Sequence, residues 1–110
     1  QRVALARALI LRPALLLLDE PFAAIDAITR ERLQDRLLSV FVQRQFSFII
    51  VTHNIEEAIF LGKRILILDN SSSGVSTIME NPGVGDPHYR TKPAFFELST
   101  KLRNILEELD

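Results

Sequence analysis

The chain has 110 residues, of which 47% are hydrophobic, a size that allows one small domain with one modest core. Thirteen basic and fourteen acidic residues give a net charge of −1, so charge favours neither nucleic acid nor an anionic membrane as a partner. The sequence has no cysteine, which excludes disulfides and thiolate metal sites and is compatible with a reducing compartment, by default the cytosol.

The first residues have the apolar spacing of an amphipathic helix, which we expect to run from Gln1 to about Arg12. Pro13 disfavours helical geometry for the residue before it and therefore ends this helix. Neither an initiator Met nor a capping residue precedes Gln1, so the sequence predicts that the chain starts inside a helix. Arg7, Arg12 and Pro13 also interrupt the apolar stretch well short of the ~20 residues that a membrane-spanning helix needs, and we expect no such helix.

Two apolar runs predict strands that are buried on both faces, as in a parallel sheet covered by helices. The first run is Leu15–Leu18, and the second is Ser47–Thr52, which is rich in Ile, Val and Phe. Between them, Asp26 can cap a long helix that packs on the sheet. The apolar stripe of that helix has helical spacing and consists of Leu33, Leu37, Val40 and Phe41.

The second half of the chain predicts a short helix and a hairpin. Asn54, with Glu57 three residues on, resembles a capping box and starts a helix that ends at Leu61. Arg64–Asp69 and Val75–Met79 are predicted strands joined by a Gly-containing loop, which makes the sheet mixed at this edge.

The end of the chain predicts a connection and a last helix. Residues 80–93 contain three of the five prolines and two of the four glycines, so the segment from Asn81 to Pro87 is predicted to be a surface connection. A last amphipathic helix closes the chain, and its apolar residues are Phe95 or Phe96, Leu98, Leu102, Ile105, Leu106 and Leu109.

Two acids stand where the first strand ends. Asp19 and Glu20 are adjacent, so their side chains point in different directions and can serve different roles. In phosphoryl-transfer sites a strand-end Asp holds Mg²⁺, and a neighbouring side chain orients the attacking water. The alternative is that both acids only end the strand and solvate a turn.

His53 follows the second strand, at the corner to the next helix. An imidazole there can donate or accept a hydrogen bond near neutral pH, as a group that contacts a γ-phosphate or a catalytic water should. Alternatively, His53 only starts a helix and Asp26 is only a helix cap. The order and spacing of the Asp19–Glu20 pair, Asp26 and His53 favour a shared site.

At these positions the chain resembles the carboxyl-terminal half of an ATP-binding cassette (ABC) ATPase, the nucleotide-binding subunit of ABC transporters. The matching motifs are the helix after the signature motif (Gln1–Leu9), the Walker B strand (Leu15–Asp19) with Glu20 beside it, the D-loop region (Pro21–Asp26) and the switch histidine (Thr52–His53). The match covers residues 1 to about 70. From Asp86 onward the chain is loosely similar to the tails of importer ATPases for nitrate, sulfonate or taurine.

The resemblance implies an α/β fold of the P-loop NTPase type. It would be an ABC ATPase core without its amino-terminal half, with a mainly parallel sheet, a carboxyl-terminal hairpin and a terminal helix. Residues 1–80 would form part of the ATPase domain, and residues 81–110 a linker and the carboxyl-terminal helix. Implied partners are a second ATPase subunit, membrane permease subunits and a solute-binding protein, with no nucleic acid, at the cytoplasmic face of the cell membrane.

The resemblance also implies roles for the site residues, with ATP and Mg²⁺ as cofactors. Asp19 would bind Mg²⁺ through its water shell, and Glu20 would polarise the water that attacks the γ-phosphate. His53 would contact that phosphate, and Asp26 would act across the interface between two ATPase subunits. The whole subunit would couple ATP hydrolysis to the import of a small solute, such as nitrate or a sulfonate.

The sequence lacks the P-loop of this family, and also the glycine-rich part of its signature motif and its Gln-containing loop. A P-loop needs Gly-x-x-x-x-Gly-Lys-Ser/Thr, and the glycines at positions 62, 74, 83 and 85 do not provide that pattern. We therefore expect these 110 residues alone neither to bind ATP tightly nor to hydrolyse it. Two other functions stay open: an ABC-type ATPase that acts on DNA, and a non-catalytic module that dimerises through exposed strand edges.

Overall fold

The computed structural model describes Arg7, Ile10 and residues 14–44, 46–70 and 74–109, except for the side chain of Ser76. Arg7 and Ile10 are helical, and the rest of the predicted first helix lies outside the described residues. The chain forms two compact units, residues 1–53 and 54–110. In the described ranges, no helix combines the length and the apolar character that crossing a bilayer requires.

The first unit contains a parallel strand pair joined by a helical crossover. Strand β1, Leu15–Asp19, pairs in register with β2, Ser47–Val51. Helix α1, Ala27–Arg44, connects them. The backbone N–H of Thr29 donates to Asp26 Oδ1 at 3.0 Å, so the predicted helix cap is confirmed.

The prediction that these strands are buried on both faces is wrong for the described structure. Leu16 and Phe48 are register partners on one face, and the Phe48 ring stacks on Phe41 of α1 with 3.7 Å between centroids. On the opposite face, Leu17 is 66% exposed and Ile49 is 55% exposed. The physical reason is that strands buried on both faces need a covering layer on each side, and the described residues of this unit cover one side.

The second unit contains the predicted short helix, hairpin and last helix, with a single 3₁₀ turn before the last helix. Its elements are α2 (Ile55–Leu61), β3 (Arg64–Leu68), β4 (Val75–Glu80), the 3₁₀ turn (Tyr89–Thr91) and α3 (Pro93–Glu108). The backbone N–H of Glu57 donates to Asn54 Oδ1 at 2.9 Å, which confirms that Asn54 caps α2. The α3 helix packs on α2.

The strands do not form the single mixed sheet that the sequence predicts. Within the described residues, β1 and β2 form a two-stranded parallel sheet, and β3 and β4 form a separate two-stranded antiparallel sheet. The hairpin strands pair with each other because they are adjacent in sequence and need only a short loop. The protein is therefore an α/β structure with both kinds of strand pair, and its assignment to the P-loop NTPase core stays a prediction.

The prediction that the segment from Asn81 to Pro87 is a surface connection is wrong for its first residue. Pro82 and Pro87 are exposed, whereas Asn81 is only 2% exposed. The Asn81 side chain can be buried because it is hydrogen-bonded inside the second unit, as a buried amide must be. The buried hydrophobic residues of the second unit are Ile59, Phe60, Leu61, Ile65, Ile67, Met79, Tyr89, Phe95 and Leu102.

Candidate functional site at the strand ends

The carboxyl ends of β1 and β2 lie side by side, and each is followed by a predicted site residue. The backbone N–H of Glu20 donates to the carbonyl oxygen of Val51 at 2.7 Å, which extends the strand pairing by one residue. His53 comes two residues after Val51. Because parallel strands end at the same edge of a sheet, this topology brings Glu20 and His53 together although 33 positions separate them.

The two side chains form a hydrogen bond between His53 Nδ1 and Glu20 Oε1. An ionised carboxylate can only accept, so Nδ1 carries the hydrogen and Nε2 is left for another partner. The His53 side chain is 94% exposed and the Glu20 side chain 31%. The imidazole is therefore open to a ligand, while the carboxylate is partly enclosed and held in one orientation.

The backbone of Glu20 lies in the left-handed region, with φ of +46°. This conformation costs an L-residue roughly 1–2 kcal/mol, and Glu has no local hydrogen bond of the kind that makes Asn or Asp tolerant of it. Strained backbone of this type is concentrated at functional sites, where it sets the direction of a side chain. The strain at Glu20 is thus a second observation, independent of the hydrogen bond, that points to a site here.

The loop after Glu20 is short and tightly held. The backbone N–H of Ala23 donates to the Glu20 carbonyl oxygen at 3.2 Å, and Ala24 also has a positive φ, of +64°. The Phe22 side chain is only 1% exposed, so the loop carries one fully buried aromatic side chain. The Arg30 guanidinium donates to the Ile25 carbonyl oxygen at 2.7 Å and ties the loop to α1.

Asp19 is the last residue of β1 and pairs in register with Val51. It is exposed and lies on the same sheet face as Leu17, the face that the described residues do not cover. Glu20 follows it with the left-handed backbone described above. The structure therefore places the two acids next to each other but brings only Glu20 into contact with His53.

Asp26 caps α1. A helix cap is the simpler of the two interpretations that the sequence allows for Asp26, the other being a site residue. Its carboxylate accepts hydrogen bonds from the backbone and the side chain of Thr29, and these bonds lower the pKa of Asp26 below its ordinary value. Asp26 is exposed. The cap explains its position fully, and a role across a subunit interface stays a prediction.

The acids at the end of β1 fit part of a magnesium site. Among the described residues, no three His, Cys, Asp or Glu side chains are grouped so that they could hold a metal ion by themselves. Mg²⁺, however, is usually bound by one or two carboxylates together with substrate phosphates and water. The oxygens of Asp19 and Glu20 are the right ligand type for such a shared site, and the exposure of Asp19 leaves room for a bound water.

Sequence reasoning found the paired side chains but missed the geometry that orients them. The positive φ of Glu20 has no signal in the sequence, because glycine or asparagine is the residue type that usually marks such a position. The burial of Phe22 could have been suspected from a lone aromatic residue between Pro21 and two alanines.

Comparison with known proteins gives relatives that cover nearly the whole chain, and no family model matches it. An aliphatic sulfonates import ATP-binding protein, SsuB, of Bacillus thuringiensis subsp. konkukian is 45% identical over 107 residues, which are 97% of this chain and 42% of that protein. The protein of the same name from Bacillus subtilis is 39% identical over 110 residues, 100% of this chain and 43% of the relative. A bicarbonate transport ATP-binding protein, CmpC, of Synechocystis sp. is 41% identical over 113 residues, 98% of this chain and 17% of the relative. The chain thus spans less than half the length of each of these relatives.

Proposed function

Since this chain belongs to the family of ABC transporter ATP-binding subunits, with 39% to 45% identity to members over nearly its whole length, we propose that it supplies part of the ATP-hydrolysing subunit of an importer. The family resemblance predicted from the sequence motifs is confirmed by these relatives. Relatives named for sulfonates and for bicarbonate support a small anion as the imported solute.

The hydrogen bond between Glu20 and His53 is the observation that carries this proposal. We assign to Glu20 the role of accepting a hydrogen bond from the water that attacks the γ-phosphate of ATP. His53 holds the Glu20 carboxylate through Nδ1 and turns Nε2 towards that phosphate. The exposure of the imidazole supports this role, because a group that contacts a phosphate from the solvent side must be accessible.

Asp19 is the residue that would hold Mg²⁺, through a water of its hydration shell. A bound Mg²⁺ neutralises negative charge on the phosphate oxygens during phosphoryl transfer. Asp19 supplies one oxygen ligand at the end of β1, next to Glu20, and this arrangement keeps the metal-binding and water-orienting carboxylates separate. Its exposed side chain supports indirect, water-mediated binding.

The remaining contacts to ATP need a phosphate-binding loop, which does not occur in these 110 residues. We therefore propose that the chain acts together with such a loop, and that alone it neither binds ATP tightly nor hydrolyses it. Isothermal calorimetry on the 110-residue chain tests this, with no heat of binding expected at micromolar Mg-ATP. Micromolar binding by the chain alone would contradict it.

The proposed subunit works in an assembly at the cytoplasmic face of the membrane. Asp26, which is exposed at the start of α1, would act across the interface of two ATPase subunits. Permease subunits and a solute-binding protein are the further partners that an importer requires. Nucleic acid is not among them, which agrees with the net charge of −1.

The direct test is Glu20→Gln in the assembled ATP-binding subunit. The amide keeps the size of the side chain but removes the carboxylate, so turnover should fall by about 10² to 10⁴-fold while nucleotide binding is unchanged. Phosphate release and equilibrium nucleotide binding measure the two effects. Glu97→Gln, at an exposed position on α3, is the matched control and should keep full activity. Unchanged turnover in Glu20→Gln would remove Glu20 from the reaction.

A further inference from the structure

The loop after Glu20, residues 21–25 of the first unit, is fastened by hydrogen bonds at its start, middle and end. At its start, the backbone N–H of Glu20 donates to a carbonyl oxygen of β2 at 2.7 Å, and in its middle the Ala23 N–H donates to the Glu20 carbonyl oxygen at 3.2 Å. At its end, the Arg30 guanidinium donates to the Ile25 carbonyl oxygen at 2.7 Å. Because a side chain makes this last bond, a substitution can remove it without changing the peptide backbone.

Arg30 is an unfavourable residue for helix stability at the place it occupies. It is the fourth residue of α1, and the amino-terminal end of a helix carries a partial positive charge that repels a cation. Asp26 stands four positions earlier, but its lowered pKa is due mainly to hydrogen bonds from Thr29 and not to Arg30. The bond to Ile25 is therefore the better explanation for an arginine here, since a charged donor makes a hydrogen bond roughly twice as strong as a neutral one.

This bond closes a segment of strained backbone. Glu20 has a φ of +46° and Ala24 a φ of +64°, both in the left-handed region. Such a conformation is unfavourable for an L-residue and persists only where surrounding contacts enforce it. Ala24 directly precedes Ile25, whose carbonyl oxygen Arg30 holds. The sheet thus fixes the strained segment on one side, and Arg30 fixes it on the other.

We propose that Arg30 is a positioning residue for Glu20. The loop is short and Pro21 fixes one of its φ angles, so a movement of the Ile25 carbonyl changes the backbone at Glu20. By holding that carbonyl, Arg30 keeps Glu20 in the left-handed conformation from which its carboxylate meets His53 Nδ1. All of these residues belong to the first unit.

This proposal rests on the function proposed for Glu20, and Arg30→Met in the assembled subunit tests it. Methionine has nearly the same helix propensity as arginine and lacks the guanidinium, and loss of the charge favours this end of the helix. We expect hydrogen exchange at the Ala23 amide to become about tenfold faster, because a hydrogen bond from a charged group stabilises local structure by that order. We expect the ¹⁵N signal of His53 Nδ1 to shift, and kcat for ATP to fall severalfold with KM unchanged.

Arg36→Met is the matched control, because it makes the same change at an exposed position on α1. Exchange at Ala23, the His53 signal and kcat should stay at wild-type values in this variant. Arg30→Lys keeps the positive charge and an N–H donor, so it should recover part of the kcat that Arg30→Met loses. If Arg30→Met does not fold, Arg30→Gln, which also lacks the guanidinium but stays polar, takes its place in every comparison.

A positioning role differs from a purely structural one in its dependence on the Glu20 carboxylate. Arg30→Met should reduce turnover clearly less in a Glu20→Gln background than in wild type, because residues that act as a unit are not additive. Equal losses in both backgrounds would contradict an action through Glu20. Faster exchange at Ala23 with unchanged kcat and an unchanged His53 signal would also overturn the positioning role.

The outcomes separate this proposal from the one on which it rests. If Glu20→Gln keeps wild-type turnover, the proposed function of Glu20 fails. Exchange at Ala23 and the His53 signal in Arg30→Met then still decide whether Arg30 orients the Glu20 side chain, since neither readout depends on turnover. Wild-type exchange and an unshifted His53 signal in that variant would overturn the inference about Arg30 alone.

Discussion

The two polar clusters of the chain are built in opposite ways. At the strand ends, Glu20 and His53 form an exposed pair, and the backbone of Glu20 is in an unfavourable conformation. In the second unit, Asn81 and Tyr89 are buried. The Asn81 amide donates to the carbonyl oxygens of Ile59 and Gly62 and accepts from the Tyr89 hydroxyl. Exposed pairs contribute little to stability, whereas breaking a buried hydrogen bond is costly. The difference indicates that the first cluster is arranged for chemistry and the second for stability.

Of the changes that test this comparison, Asn81→Ala is expected to have the largest effect on the free energy of unfolding. The change leaves the Tyr89 hydroxyl and the carbonyl groups of Ile59 and Gly62 without their buried partner, so the free energy of unfolding should fall by roughly 3 kcal/mol. Urea denaturation of the chain followed by circular dichroism measures it. Asn104→Ala makes the same chemical change at an exposed position on α3 and should stay within about 0.5 kcal/mol of wild type. Equal effects of the two changes would show that the buried hydrogen bonds of Asn81 do not stabilise the unit.

A smaller effect of opposite sign, an increase in the free energy of unfolding, is expected for Ala24→Gly in the loop after Glu20. Ala24 has a φ of +64°, which glycine adopts without strain, so the variant should be more stable by roughly 0.5–1 kcal/mol. Ala23→Gly is the matched control, because Ala23 is exposed and not in the left-handed region, and there glycine should destabilise by roughly 0.5 kcal/mol. If both glycines destabilise, the loop stores no backbone strain.

The smallest effect is expected for Asp26→Asn, which should change how the stability of the protein depends on pH in the acid range. Hydrogen bonds from Thr29 lower the pKa of Asp26 in the folded state, so the stability they give is fully present above the ordinary value of 3.8 and is lost as the pH falls through the folded-state pKa. Asp26→Asn keeps an oxygen that can cap α1 but does not titrate. Its melting temperature should therefore fall less steeply than that of wild type between about pH 4 and pH 2. Equal slopes would contradict the cap as the cause.

The local elements could be predicted because each has a strong local signal. Asp26 and Asn54 are residue types that cap helices, and both caps are confirmed by hydrogen bonds. The site pair could be found because the acids and His53 each follow an apolar run, and strand ends of this kind meet at one edge. These inferences need only neighbouring residues and the geometry of parallel strands.

What the sequence did not predict depends on contacts between distant residues. Asn81 stands beside Pro82 and Gly83, a composition typical of a surface turn, and its burial depends on carbonyl groups about twenty positions earlier. The exposure of Leu17 on one face of β1 could not be foreseen either, because an apolar run in the sequence does not show whether both faces of the strand are covered. The left-handed backbone of Glu20 has no propensity signal at all.

The central claim, that Glu20 and His53 act as one unit in ATP hydrolysis, is tested most directly by a double-mutant cycle. Turnover of the assembled subunit would be measured for wild type, Glu20→Gln, His53→Ala and the double variant. If His53 acts partly by holding the Glu20 carboxylate, the loss of turnover in the double variant should be clearly smaller than the product of the two single losses, because groups that act as a unit are not additive. Two independent losses that multiply in the double variant would contradict the claim.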